Sequence, residues 1–428
     1  MADCNTALII SPTFYPHPLV GAVRATQFCR HLPEFGWKPV VLCRYYGYRA
    51  TAEGLAADVN PTVDLRYLNS PGEPTEVESV ASLEKGATKF TKWRTLVKRA
   101  ITRSVGQMVV PDMSIGFWRG VRQQVVEAVK EVQPSVLFTT GPPHAIHDLG
   151  LYLAMKFPNM PWVADFRDPY TLSPGYRPKG IYAFRFQAHR RYEHKIYATC
   201  QLALHVNELH DRWARLQFPD YRSKMHYLPN GIPNELTAAQ PVRKERSRIV
   251  FCSVGVGGEE ETLTVARALL QLLDEGVDAE FRMIGPYPNN LDLLREILGD
   301  RLNAMGRLEH KAALSQMLDA DVLISTQSLE RAALVGLSSK LLEYLATGYP
   351  LIVVNNSRPA RLFLQQFIGV FSVDRPTVSQ VAEIMRAAIR PENAPPTSQV
   401  QEFRYHYSRR HLTHRLADWF DELTSSSS

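Results

Sequence analysis

The chain has 428 residues, 45% of them hydrophobic and 21% charged. That length exceeds one ordinary hydrophobic core and implies about two domains, and the composition excludes a disordered or fibrous chain. Against 49 Lys and Arg stand 43 Asp and Glu, a formal charge of +6 that is compatible with an anionic partner but too small to name one.

The cysteines, Cys4, Cys29, Cys43, Cys200 and Cys252, are odd in number and scattered. This excludes a disulfide scaffold and a zinc or redox motif and suits a reducing cytosol. No basic stretch followed by an apolar run opens the chain, so no signal peptide is expected. No apolar run approaches the roughly 18 residues of a membrane span. The expected location is cytoplasmic.

Short apolar runs recur in chain order, each followed by a turn and a helical pattern. They are ALII at 7–10, PVVLC at 39–43, SVLFTT at 135–140, PWVADF at 161–166 and LALHV at 202–206. RIVFCSVG at 248–255, AEFRMIG at 279–285, DVLIST at 321–326 and PLIVV at 350–354 continue the series. Uninterrupted apolar runs mark strands buried on both faces, as in parallel sheets, and alternation with helices makes them βαβ units. The expectation is an α/β protein of two doubly wound, Rossmann-like domains facing across a cleft, with ligands at the carboxyl ends of the strands. Pro, Gly and charge concentrate at 229–248, which sets the domains at 1–235 and 236–400. A last segment, 401–424, carries Leu412, Leu416, Trp419, Phe420 and Leu423 on one helical face and is expected to dock on the first domain.

Candidate functional residues follow the strand ends. After the first run, SPTFYPHPLVGAVRATQFCRHL places Gly21 in a tight turn, Arg24 in the first helical turn and a helix over 23–32. Free N–H groups at such a helix start suit an anion, although a plain βα turn reads the same way. TTGPPHAIHDLG at 139–150 puts His144 and His147 beside a strand end, suited to a sugar hydroxyl or a proton, or to a structural role. In PWVADFRDPY, Asp165, Arg167 and Asp168 lie in the substrate zone or form an internal Arg–Asp lock. VGVGGEE offers Gly255, Gly257 and Gly258 for close approach to a phosphate, without a P-loop or dinucleotide fingerprint. LVGLSSKLLEYLATGYPLIVV at 334–354 is the most informative stretch. Ser338 or Ser339 caps a helix running from Lys340 to Thr347, and Gly348 ends it. A lysine in the first turn opposes the helix dipole unless an anion lies there, and Glu343, one turn on, suits a ribose diol.

Two basic stretches remain. Residues 89–108, KFTKWRTLVKRAITRSVGQM, gather an apolar face with Trp93 and a basic remainder without acids. Such a helix fits either an anionic membrane surface or packing on the first domain. Residues 177–197 are basic and aromatic. No nucleic-acid motif accompanies them, and nucleic acid is not an expected partner.

Taken in order, the opening loop with Gly21, DFRDP, the PNG at 229–231, the second glycine turn, GRLEHKAAL at 306–314 and SSKLLEYLATGYP resemble the retaining glycosyltransferases of the GT-B fold, specifically glycosyltransferase family 4. The last segment is similar to the family's donor-site sequence PSKLFEYLAAGKP. The resemblance implies a nucleotide-diphosphate sugar donor, a hydroxyl acceptor in a surface polysaccharide, glycolipid or metabolite, retention of configuration, and no cofactor or metal. It implies catalytic roles for His147, Lys340 and Asp165. Gly21, Gly255, Gly257, Gly258, Arg307, Ser339, Lys340 and Glu343 would bind donor, and Arg24, His144, Arg167 and Asp168 would line the acceptor side. Val335 stands where the family's first motif glutamate stands, with Glu330 in another register. Arg282, Arg307 and Arg331 are the candidates to replace the Arg and Lys missing after the second glycine turn. A nucleotide-sugar epimerase and a degenerate GT-B binding protein are the rival readings.

Overall fold

The structure, a computed structural model, describes residues 5–17, 20–47, 49–69, 109–171, 183–238, 247–255, 257–332 and 337–425. The basic stretch 89–108 and Val335 lie outside the described residues, as do the side chains of Arg331 and most of 177–184. The chain forms two compact units, Met1–Asn230 joined by Arg409–Ser428, and Gly231–Ser408. The break therefore falls between Asn230 and Gly231 rather than after 235. The returning segment starts at Arg409 rather than 401, because the helix Thr397–Tyr407 stays in the second unit and buries Phe403 in its core.

In the first unit, β1 (Asn5–Ser11), β2 (Trp37–Arg44), β3 (Asp64–Leu68), β4 (Val136–Gly141), β5 (Trp162–Phe166), β6 (Leu202–His205) and β7 (Met225–Tyr227) form one parallel sheet ordered β3-β2-β1-β4-β5-β6-β7. In the second, β8 (Ile249–Val254), β9 (Ala279–Ile284), β10 (Leu302–Gly306), β11 (Val322–Thr326), β12 (Leu351–Val354) and β13 (Val370–Val373) form a parallel sheet ordered β10-β9-β8-β11-β12-β13. Strand order reverses at β1/β4 and at β8/β11, and the motif-bearing loops leave the carboxyl ends beside those two points.

Both faces of β1 are buried. Leu8 and Ile10 pack with Val40, Leu42 and Leu137 on one side, and Ala7 and Ile9 with Val41, Phe138 and Val163 on the other. This is why the central strands read as unbroken apolar runs. The helix Arg409–Ser425 inserts Leu412, Leu416, Ala417 and Phe420 into the second of these clusters. Phe420 meets the Trp37 ring at 5.1 Å, and Trp37 Nε1 donates to Asp421 Oδ1 at 3.0 Å. Each such buried side chain contributes about 1.5–3 kcal/mol.

Glycine is required in the helix His147–Lys156 for a packing reason. The Trp162 indole lies directly on Gly150, and a Cβ there would overlap the ring. Gly150→Ala should therefore cost about 1–3 kcal/mol, read as a lower urea midpoint. An unchanged midpoint would show that Trp162 has room to shift.

Candidate functional site

Each unit carries one cluster of motif residues. In the first, the loops after β1, β4 and β5 are tied together by two arginines. Arg24, in the helix Val20–His31, donates from Nη2 to Asp165 Oδ1 at 2.8 Å and from Nε to Oδ2 at 3.0 Å. Its Nη1 reaches the Pro229 carbonyl at 2.9 Å and Asn230 Oδ1 at 3.3 Å. Thr140 Oγ1 donates to Asp165 Oδ2 at 2.6 Å. Asp165 is fully buried and Arg24 nearly so. Arg24 is thus neither solvated nor presented to an anion, and Asp165 is placed to organise the loops rather than to touch substrate.

Arg167 donates to the Gly21 and Pro142 carbonyls and so clamps the β1 and β4 loops. A Cβ on Gly21 would stand 2.5 Å from Arg167 Nη1, so this glycine is needed for the clamp. The expected internal Arg–Asp lock exists, but it joins Arg24 to Asp165 and not Arg167 to its neighbours. Asp168 is exposed.

His147 begins its helix fully buried. Thr139 Oγ1 accepts from Trp162 Nε1 at 2.9 Å and is hydrogen-bonded to His147 Nδ1, also at 2.9 Å. His147 Nε2 lies 3.2 Å from where a Gly141 Cβ would stand and has no partner among the described residues. His144 Nδ1 is likewise buried and unpartnered.

Sequence reasoning missed several neighbours. His210 follows Asn207, whose side chain caps the helix Glu208–Gln217, and both of its ring nitrogens are buried without a partner among the described residues. His205 pairs through Nδ1 with Asp211 Oδ1 at 2.8 Å and through Nε2 with the Tyr197 hydroxyl at 3.0 Å. Glu193, fully buried, accepts from the Thr171 hydroxyl and amide. The one available signal was the cap-like VNELHD directly after a strand.

Burial holds His144 down to about 3, with Arg167 adding repulsion. Burial and the neighbouring histidines hold His147 and His210 well below the ordinary imidazole value. Their contribution to stability is complete above the unfolded value of 6.5 and is lost as the pH falls below it. By about pH 4.5 the loss is about 2–3 kcal/mol for His144, and the other two rings act in the same direction. Burial pushes Glu193 the other way, up to about 7, so its share is present below 4.5 and lost as the pH rises through 7. The histidines outnumber it, and the melting temperature should drop on acidification below 6.5. A flat profile down to about pH 4.5 would show that the rings are already charged or solvated in the folded chain.

In the second unit, Gly255 has φ +98° and its amide donates to the Ile284 carbonyl at 2.6 Å. The Lys340 ammonium sits against it, where a Cβ on Gly255 would overlap Nζ. The placement comes from Tyr344, one turn along the helix Ser339–Thr347. Its hydroxyl accepts from the Val254 amide at 2.7 Å and locks the helix to the end of β8. Ser338, not Ser339, is the N-cap, accepting from the Leu341 amide. Ser339 is exposed in the first turn, and Glu343 is half-buried on the next. Gly257 packs on Thr326 and Thr262, whose hydroxyls are 3.1 Å apart, and Gly258 packs on Glu261 and the Ser328 amide.

Arg282 is not available as a replacement donor-site cation. It is ion-paired at 3.0 Å to both Glu280 and Asp319, and it also donates to the Gln316 carbonyl. Arg307 is exposed after Gly306 at the end of β10. Among the described residues, no group of three or more His, Cys, Asp or Glu is placed to hold a metal ion, and no helix is long and apolar enough to cross a membrane.

No protein-family model matches the chain, and no curated protein matches it in sequence. Solved structures resemble it along its whole length. A glycosyltransferase from Rickettsia africae aligns at TM-score 0.57 and 13% identity, over 98% of this chain and 99% of that one. HepE of Anabaena, in complex with UDP, aligns at TM-score 0.62 and 12% identity, over 98% of this chain and 100% of that one. WaaG, a glycosyltransferase involved in lipopolysaccharide biosynthesis, aligns at TM-score 0.53 and 13% identity, over 97% of this chain and 99% of that one. At such identities the likeness is one of fold. Two parallel, helix-flanked sheets of 7 and 6 strands, matched from end to end by these glycosyltransferases, give the chain the GT-B fold.

Proposed function

We propose that the chain is a glycosyltransferase that moves a sugar from a nucleotide-diphosphate sugar to a hydroxyl acceptor, with retention of configuration and without a metal. The observation that carries this reading is the Lys340 ammonium seated on Gly255, at the first turn of a helix whose N-terminus lies beside the β8/β11 reversal. Breaking the bond between the anomeric carbon and the phosphate oxygen leaves negative charge on the departing diphosphate. A cation at the positive end of a helix, supplied here by Lys340 in the first turn, stabilises that charge in the transition state. Glu343, one turn further on, would accept from ribose hydroxyls, as the motif resemblance implies. The acceptor proton passes to the leaving phosphate, so no strong base is needed. His147, whose Nε2 has no partner among the described residues, serves a sugar oxygen or hydroxyl. Family 4 membership and retention rest on the motif resemblance. The acceptor is a polysaccharide, glycolipid or metabolite, and the setting is cytoplasmic. HepE in complex with UDP, and with UDP-glucose, supports UDP as the first ligand to try.

The test is thermal stabilisation by UDP, GDP, ADP, TDP and CMP, for the native chain beside Lys340→Ala and Glu343→Ala. A ligand at about 100 times its Kd adds about 2.7 kcal/mol to the folded state. One nucleotide should raise the melting temperature, and both variants should lose the shift. No shift with any nucleotide, in well-folded protein, would favour the degenerate binding protein.

A further inference from the structure

His210 is 2% exposed, and neither ring nitrogen has a hydrogen-bond partner among the described residues. It is not alone. His144 Nδ1 and His147 Nε2 are in the same condition, and all three rings surround Phe166, with centroid separations of 5.9 Å for His144, 4.8 Å for His147 and 6.1 Å for His210. His205, 4.4 Å from His210, shows the ordinary outcome for a buried imidazole in this fold, with both nitrogens paired. Folded proteins seldom retain buried polar atoms that nothing satisfies, because each keeps its full desolvation penalty. Other buried polar atoms without partners are scattered over both units, but the ones on these three rings meet around one side chain, at the carboxyl ends of β4, β5 and β6, the edge of a parallel sheet where ligands are received.

The chemistry of the rings selects the ligand. A neutral imidazole offers one donor and one acceptor. An anion would use only the donors. A cation would use only the acceptors and would bring charge toward Arg167. A hydroxyl both donates and accepts, and it pairs with two neutral imidazoles at once. We propose that His210, together with His144, receives a sugar hydroxyl and is a ligand-positioning residue of the first unit. This rests on the glycosyl-transfer reading above and adds to it a residue outside the motifs. The hydroxyl belongs either to the donor sugar or to the acceptor.

The test uses the full chain. His210→Phe keeps a ring and removes both nitrogens, while His210→Asn restores one donor and one acceptor. Affinities for UDP and UDP-glucose are measured, together with the KM for a panel of methyl glycosides as acceptor probes. The expected result is unchanged UDP affinity in His210→Phe, with a tenfold or greater weakening toward one sugar-bearing ligand and partial recovery in His210→Asn. Weakening confined to UDP-glucose assigns the donor hydroxyl, and weakening confined to the glycosides assigns the acceptor. UDP bound as before with both sugar-bearing ligands unaffected overturns the proposal and leaves the donor site intact. Should His210→Phe fail to fold, the native chain still decides. Its His210 ring 15N signals should move with UDP-glucose or a methyl glycoside and stay still with UDP. Signals that move with neither sugar overturn the proposal. If UDP fails to bind at all, the functional reading is at fault, and the glycoside arm alone then judges His210.

Discussion

Asp165→Ala should destabilise the first unit by about 3–5 kcal/mol, the cost of leaving a buried charge without its partner. Arg24 is 4% exposed and Asp165 fully buried, and every oxygen of the carboxylate is engaged by Arg24 or Thr140. Removing the carboxylate leaves a nearly buried guanidinium without its counter-charge. The loss should spread to Pro229 and Asn230, which Arg24 also holds and which end the first unit's main segment. Replacing Arg24 and Asp165 together by Met and Leu should cost clearly less than the single change, because no lone charge remains. The measurement is chemical unfolding followed in the first unit. A single-variant loss within about 1 kcal/mol would place the pair among exposed ion pairs and contradict its burial.

Lys340→Ala should lower kcat/KM by about 100–1000-fold, as removal of one preorganised charge contact typically does. The lock on the helix belongs to Tyr344, whose hydroxyl holds the Val254 amide, so the fold should persist. Gly255→Ala should produce a comparable loss by a different route. Its φ of +98° disfavours any side chain, and the added methyl overlaps the ammonium. Steady-state kinetics with the nucleotide sugar that stabilises the chain is the check. Activity within threefold of native for Lys340→Ala would remove the ammonium from the diphosphate.

How much of this was legible in the sequence depends on what each residue packs against. The nine strands expected from apolar runs are all present. The four that were not expected, β3, β7, β10 and β13, are the outer strands of the two sheets. An inner strand is covered on both faces and must be apolar throughout. An outer strand has a neighbour on one side only and tolerates the Asp, Arg, His and Asn seen in DLRYL, MHY and LNAMG. Local chemistry was equally readable. A serine cap at 338 or 339, a helix ending at Thr347 and its Gly348 stop follow from rules that act within a few residues, and the structure puts the cap on Ser338. The apolar stripe of the last helix announced that it docks.

The site's partners were a different matter. Arg24 and Asp165 are 141 positions apart, and nothing local says that one neutralises the other. Arg282 reads as a free cation until Glu280 and Asp319 are seen on either side of it. Glu193 lies in a stretch that reads only as basic and aromatic, and His210 in one with no motif; only the packing around Thr171 and Phe166 makes the first a buried carboxylate and the second a buried ring without partners among the described residues. Periodicity and capping are short-range and are written along the chain. Ion pairing, burial and the satisfaction of polar atoms depend on residues that meet only after the sheets have formed, so the tertiary structure alone decided them.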